Sequence, residues 1–178
     1  MQLPLAPGKT EHIKFPLVQS GTFWMHSHYG LQEAQLMSAP LIIKPKNYHI
    51  NNIKNVTVIL DDLSIKPPKK ILYGLEHPAN MEKMMAMGSH KDSKPDLYDV
   101  KSDVLLANRK TLDKPDVIKV TAGEKVRLRL INADSVNNLF VHLPKNMIGK
   151  VAAIDGEKTK PYYNTTFQLG ILILWIFW

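Results

Sequence analysis

The chain has 178 residues, a formal net charge of +7, 44% hydrophobic residues and no cysteine. This length is enough for one large domain or two small ones with a buried core. The lack of cysteine excludes disulfides, thiolate zinc sites, cysteine nucleophiles and the blue-copper electron-transfer site, which needs a thiolate beside two histidines. The lysines are scattered rather than clustered with arginine and aromatic residues, so we expect no nucleic-acid partner.

The two ends of the sequence predict no membrane insertion. Residues 1–8 have no basic region leading into an apolar stretch, so we expect no secretory signal, and the localisation stays unassigned. Residues 170–178 are strongly apolar, but they are far shorter than the roughly 20 residues that span a bilayer. We therefore expect no membrane span.

Short runs that alternate polar and apolar residues predict strands in the first third of the chain. These strands are 12–18, 21–30, 40–45 and 55–62, with a loop or a single helical turn at 32–37. Turn residues separate the runs, a pattern typical of an all-β sandwich or barrel. The first 66 residues therefore predict an all-β unit.

His26 and His28 lie two positions apart in the glycine-bounded run 21–30. In an extended segment their side chains point to the same face, about 7 Å apart at the backbone. Such a pair can bind one metal ion or serve two adjacent ions, and imidazole suits copper, zinc, iron and nickel. The alternative is a histidine pair on the surface or in the core that binds nothing.

Residues 67–98 break the strand rhythm and predict a linker or a long insertion. Thioether and imidazole groups suit Cu(I), which makes several residues of this segment candidate ligands. The candidates are His77, Met81, Met84, Met85, Met87 and His90. The alternative is packing, because Met81, Met84 and Met85 also have the spacing of an apolar stripe on a short helix.

Strand patterns return at residue 99. The predicted strands are 104–110, 117–121, 125–132, 139–144 and 151–156. In 125–132 the alternation directs Val126, Leu128 and Leu130 inward. We therefore expect Arg127 and Arg129 to lie on a solvated face.

Two parts of the sequence resemble the multicopper oxidases. Gly-Thr-Phe-Trp-Met-His-Ser-His at 21–28, followed by Gln35 and Ala-Pro-Leu-Ile-Ile at 39–43, resembles a copper-ligating strand of their first cupredoxin domain. Ala-Asn at 107–108, with 123–132 and 151–156, resembles the start of their second domain. Arg109 stands where the family has a hairpin glycine, a change that we expect to touch no ligand.

The resemblance implies a cupredoxin-like Greek-key fold made of two partial domains. The expected division is residues 1–66 from the first domain, 67–98 as a methionine-rich insertion and 99–171 from the second domain. On this reading the start of domain one and all of domain three are missing. Residues 172–178 show no resemblance, and we interpret them as an aberrant apolar tail of the kind a shifted reading frame produces. As a solvent-exposed strand, such a tail favours aggregation.

The resemblance also implies a function. The family oxidises metal ions or phenols one electron at a time and reduces O2 to water at a trinuclear copper cluster held by four His-x-His pairs. His26 and His28 match the pair that gives one imidazole to each copper of the binuclear, type 3 part. Full-length relatives often serve copper resistance and are typically periplasmic or exported. His12, His49 and His142 are expected to be strand histidines, not ligands.

Three functions stay open at this point. The first is a truncated multicopper oxidase, which we expect to be inactive as a lone chain because one pair of four is present. The second is a copper-binding module without turnover, using His26, His28 and the methionine-rich segment. The third is a structural cupredoxin-like domain that binds nothing. A zinc hydrolase is disfavoured because no third ligand or general base has a usable spacing.

Overall fold

The computed structural model describes residues 4–47, 52–77, 102–135, 137–145 and 147–170, and the backbone of 174–177. Its strands are β1 (Gly21–His26), β2 (Ser38–Ile43), β3 (Ile53–Leu63), β4 (Val104–Ala107), β5 (Lys125–Asn132), β6 (Leu139–His142), β7 (Gly149–Ile154), β8 (Glu157–Asn164), β9 (Thr166–Leu169) and β10 (Leu174–Phe177). One helix, α1 (Pro68–Glu76), and a 3-10 turn at Glu33–Gln35 complete the described elements. The predicted all-β class is confirmed.

The described strands form three sheets. The largest has the order β4-β3-β5-β10-β7-β8, and the other two are the two-stranded antiparallel sheets β1-β2 and β6-β9. All pairings are antiparallel except β3 with β5, which run parallel over eight residue pairs. The architecture is a cupredoxin-like β-sandwich.

Strand β3 belongs to the sheet of the later strands rather than to the β1-β2 pair. It pairs with β4 on one edge and β5 on the other. Its residues from Val56 to Leu60 are apolar apart from Thr57, and a central strand of this kind is covered on both faces. The strand pairing changes between Ile43 and Ile53, whereas the sequence predicts the domain boundary at residue 66, and that boundary stays a prediction.

The expectation that Arg127 and Arg129 are solvated is wrong. Each is 5% exposed, and the Arg129 guanidinium donates a hydrogen bond to the Thr22 hydroxyl of β1. The alternation itself is right, because Leu128 and Leu130 point the other way. The arginine face, however, is turned toward β1 and not toward water.

Strand β10 corrects the expectation of an exposed apolar tail. Its backbone lies between β5 and β7 and pairs antiparallel with both. A strand with partners on both edges offers no free backbone donors or acceptors to another chain. Leu172 and Trp178 lie outside the described residues.

Three other segments differ from the predicted pattern. Residues 12–18 and 117–121 form no strand and are exposed, with Ile13 72% and Val117 82% accessible. Neither segment pairs with a strand among the described residues, although the Lys54 side chain of β3 donates a hydrogen bond to Lys119 O. Helix α1 begins with Pro68 at its first turn, where proline's missing N–H costs nothing. No helix in the described ranges is long and apolar enough to span a bilayer.

Two buried clusters join the sheets. Leu130, Val151, Phe167 and Leu169 form the larger cluster, which links the six-stranded sheet to β6-β9. Ile59, Ile131 and Ala133 form the second cluster, and Trp24 of β1 packs against it. The second cluster therefore seats the strand that carries His26 on the six-stranded sheet.

Gly156 is a position where we expect a methyl group to be costly. It has φ +81°, and an added Cβ would lie 2.6 Å from the Phe23 ring. Gly123 has a similar φ of +82°, but a Cβ added there would meet no atom within 4 Å. Gly123→Ala therefore measures the cost of the positive φ alone, without a steric clash. We expect Gly123→Ala to cost about 1 kcal/mol of unfolding free energy and Gly156→Ala about 1–3 kcal/mol more, measured by urea denaturation. Equal losses would contradict the packing of Phe23 on this turn.

Candidate metal centre

The rings of Trp24, His26 and His28 form a continuous row at the end of β1. Trp24 stacks on His26 with ring centroids 4.1 Å apart and planes at 10°, and His26 lies 4.4 Å from His28 at 44°. β1 ends at His26, and His28 lies just beyond it in an irregular segment. The two imidazoles nevertheless lie side by side, as the i, i+2 spacing predicts.

The two histidines differ in their surroundings. The His26 side chain is 21% exposed, whereas His28 lies in the exposed class. Nδ1 of His26 is buried, and Glu33 Oε2 lies 2.9 Å from it. The two atoms do not form a hydrogen bond, so the contact is electrostatic and places a carboxylate beside the more buried imidazole.

The residue between the histidines anchors this segment. The Ser27 amide donates to Met37 O at 3.0 Å, and the Ser27 hydroxyl donates to Gln32 Oε1 at 2.6 Å. The Tyr29 amide in turn donates to the Ser27 hydroxyl at 3.1 Å. Both the backbone and the side chain of Ser27 are therefore held by bonds that involve no ring nitrogen of His26 or His28.

A cavity of about 380 Å³ opens beside His26. Its polar wall consists of His26, Glu33, Ser38, Asp61, Asp62 and Ser135. Asp62 accepts hydrogen bonds from the Ser135 amide and hydroxyl at 2.9 and 3.1 Å. The cavity thus places carboxylates next to the more buried of the two imidazoles.

Asp61 is the most deeply buried of these carboxylates, at 3% exposure. Its Oδ1 accepts from the Ser38 hydroxyl at 3.0 Å, and its Oδ2 has no hydrogen-bond partner among the described residues. Burial raises the pKa of Asp61 above its ordinary 3.8, while the Ser38 hydrogen bond and the Arg109 charge offset part of the rise. The folded chain therefore holds this proton more tightly than the unfolded chain does.

The raised pKa of Asp61 predicts a pH dependence of stability. Well below pH 3.8 the Asp61 carboxyl is protonated in both the folded and the unfolded chain. Its full contribution to the free energy of unfolding is then present. As the pH rises through the raised folded pKa, we expect the wild type to lose stability relative to Asp61→Asn, because the unfolded chain releases the proton more readily. Urea unfolding across this range measures the difference. A difference in unfolding free energy that does not change with pH would contradict this prediction. Ser38→Ala should extend the loss to higher pH, because the Ser38 hydrogen bond lowers the pKa of Asp61.

Of the other predicted copper ligands, the structure describes only His77. The His77 ring lies at the end of α1, stacked on Tyr73 at 4.2 Å. Met81, Met84, Met85, Met87, His90 and His49 lie outside the described residues. His142 Nδ1 contacts the Thr166 hydroxyl at 3.1 Å, and His12 is exposed.

The imidazoles of His26 and His28 are suitable copper ligands, but two ligands are too few for a complete copper centre. Two adjacent imidazoles are acceptable ligands for copper. Within the described ranges, no group of three or more histidine, cysteine, aspartate or glutamate side chains is arranged to hold a metal ion. The pair therefore fits two ligands of a copper centre and does not complete one.

Sequence reasoning missed the roles of three residues around the pair: Glu33, Asp61 and Arg109. Glu33 follows His26 by seven positions, so a turn must bring the two together. Asp61 is recognisable only as an acidic residue at the end of an apolar strand. Arg109 is the departure from the hairpin glycine, and its contacts lie more than 70 positions away in the sequence.

Comparison with known sequences connects the chain to one family. A family model described as multicopper oxidase matches residues 1–48. Laccase-2 of Botryotinia fuckeliana is 30% identical over 96% of this chain, and copper resistance protein A of Escherichia coli is 25% identical over 94%. The chain spans 28% of the laccase and 32% of the copper resistance protein.

Comparison with solved structures points to the same family as the sequence comparison. The blue copper oxidase from Nitrosomonas europaea superposes with a TM-score of 0.70 and 25% identity, covering 99% of this chain and 50% of that one. The likeness extends through β10 and is not confined to residues 1–48. It therefore includes both the β1-β2 pair and the six-stranded sheet.

Proposed function

Because this chain is related to the multicopper oxidases in sequence and in fold, we propose that His26 and His28 are copper ligands. The observation that carries this proposal is the 4.4 Å separation of the two rings at the end of β1. Trp24 backs the His26 ring, and Ser27 fixes the backbone between the histidines.

We assign the pair to the binuclear, type 3 part of an oxygen-reducing centre. When bound, copper supplies one-electron redox chemistry with O2 as the acceptor. The residues of this chain would hold the ion, and the Glu33 carboxylate would stabilise the charge on the liganded His26 ring. The remaining imidazoles would come from polypeptide beyond this pair, since the described residues supply no third ligand.

The strand pairing suggests how the chain maps onto the family. We propose that residues up to Ile43 correspond to part of the first cupredoxin domain, because β1 pairs only with β2 among the described strands. The second domain would then begin with β3, with the methionine-rich segment as an insertion. Copper oxidation chemistry and a role in copper resistance would belong to the assembled protein.

The proposal predicts copper binding without turnover. We expect the 178-residue chain to bind about one copper ion per chain, followed by competition with a chromophoric Cu(I) chelator and by electron paramagnetic resonance of Cu(II). Oxygen consumption with a phenolic substrate should stay at the level of free copper, because each ion of a binuclear site needs more imidazoles than one strand provides. Sustained oxidase turnover by the chain alone would contradict this assignment.

The second candidate function is a copper-binding module that also uses the methionine-rich segment. The methionines between His77 and His90 and the softness of their thioethers favour it, whereas the spacing of Met81, Met84 and Met85 favours packing. Replacing these three residues with leucine keeps the apolar stripe while removing the sulfur. A lower Cu(I) stoichiometry in this variant would support the module, and an unchanged stoichiometry would leave His26 and His28 as the site.

A further inference from the structure

Arg109 connects the β4 turn to the segment that follows the 3-10 turn. Its Nη2 donates to Leu36 O at 3.1 Å and to Ser38 O at 2.8 Å. One nitrogen therefore satisfies two carbonyl groups, and the residue between them is Met37. The residues joined by these bonds are more than 70 positions apart in sequence, so the contact is a tertiary link.

The carbonyl between those two points the other way. Met37 O accepts from the Ser27 amide at 3.0 Å, and Ser27 lies between His26 and His28. Leu36 has a φ of +64°, which starts this short extended run. Arg109 thus holds one side of the 36–38 backbone, and the histidine segment is hydrogen-bonded to the other side.

The turn that carries Arg109 is fixed independently of its guanidinium. Asn108 and Ile59 of β3 exchange two hydrogen bonds, Ile59 N to Asn108 Oδ1 at 3.0 Å and Asn108 N to Ile59 O at 2.8 Å. The Asn108 amide group also donates to Thr57 O at 3.2 Å. Shortening the Arg109 side chain should therefore leave the turn in place on β3.

We propose that Arg109 is a positioning residue for the histidine pair. By holding the carbonyls of Leu36 and Ser38, it keeps Met37 O directed at the Ser27 amide, and this fixes His26 and His28 side by side. The copper part of this inference rests on the proposed function, whereas the backbone part does not.

Arg109→Gly is the informative variant, because Arg109 has φ +62°, a conformation that glycine adopts without strain. We expect hydrogen exchange of the Ser27 amide to become about tenfold faster, while the Ile59 amide keeps its protection. Cu(I) affinity, measured by chelator competition, should fall about tenfold, as is typical when a supporting partner of a metal ligand is lost. Arg109→Lys should restore part of both, since both bonds come from one nitrogen.

The results of these measurements distinguish the role of Arg109 in holding the backbone from its effect on copper binding. Unchanged exchange at Ser27 in Arg109→Gly, with Ile59 still protected, would overturn the positioning role. Copper binding by the wild type with equal affinity in Arg109→Gly would overturn its link to the metal and leave the proposed function standing. If the wild type binds no copper, the proposed function fails, while faster Ser27 exchange in the variant still supports the backbone role.

Discussion

Replacing both His26 and His28 with alanine is expected to lower the copper affinity of the chain by more than about 100-fold. Loss of a supporting partner alone typically costs about 10–100-fold, and here both direct ligands are removed. The rings are adjacent at 4.4 Å, and Nδ1 of His26 faces Glu33. No neighbouring histidine among the described residues can take over, because His142 and His12 lie elsewhere in the fold.

Single variants and a matched control sharpen this test. His26→Ala and His28→Ala should each cause most of the loss, because one remaining imidazole is a weak ligand for copper. His142→Ala removes a strand histidine that contacts Thr166 and should leave the affinity unchanged. Copper affinity that survives the double variant but falls in His142→Ala would place the site elsewhere.

Phe167→Ala is expected to lower the free energy of unfolding by about 3–5 kcal/mol, the range for a buried phenylalanine. Phe167 is 2% exposed and lies in the cluster with Leu130, Val151 and Leu169. Its ring also lies close to Gly149, where an added Cβ would be 3.0 Å from it. Phe167→Ala would leave a cavity beside the Gly149 backbone. Because that backbone belongs to β7, the surrounding structure has little freedom to close the cavity.

Phe140→Ala is the control for this prediction. Phe140 lies on β6, which pairs with β9, but it is 60% exposed. Its loss should cost less than about 1 kcal/mol, since surface substitutions usually have small effects. Guanidinium unfolding followed by tryptophan fluorescence measures both variants. Similar losses at the two positions would contradict the placement of the core between the sheets.

The parts of the fold that depend on local period were predictable. The alternation predicted for the run 21–30 places His26 and His28 on one face, and their rings lie side by side although β1 itself ends at His26. The alternation in β5 likewise places Leu128 and Leu130 together. Local sequence patterns were therefore enough to predict the all-β class and the adjacency of the two histidine rings.

What a strand packs against could not be read from its own residues. The alternation in β5 is the same whether the arginine face meets water or β1, and only the tertiary structure buries Arg129 against Thr22. Residues 12–18 show the reverse case, because their alternation predicts a half-buried strand and yet no described strand pairs with them. Pairing partners decide both outcomes.

The support of the histidine pair was hidden for the same reason. Arg109 and Leu36 are joined by a hydrogen bond across 73 positions, and no periodic pattern connects them. The position of Arg109 in place of a hairpin glycine was visible, but its effect was not. Long-range contacts of this kind require the fold.

The central claim is that His26 and His28 bind copper together, and imidazole nitrogen spectra test it most directly. Long-range proton–nitrogen NMR spectra of the 178-residue chain would be recorded before and after one equivalent of diamagnetic Cu(I). We predict that the ring nitrogens of His26 and His28 shift together while those of His12 and His142 stay in place. A shift confined to other histidines, or to only one of the pair, would contradict joint copper binding by His26 and His28.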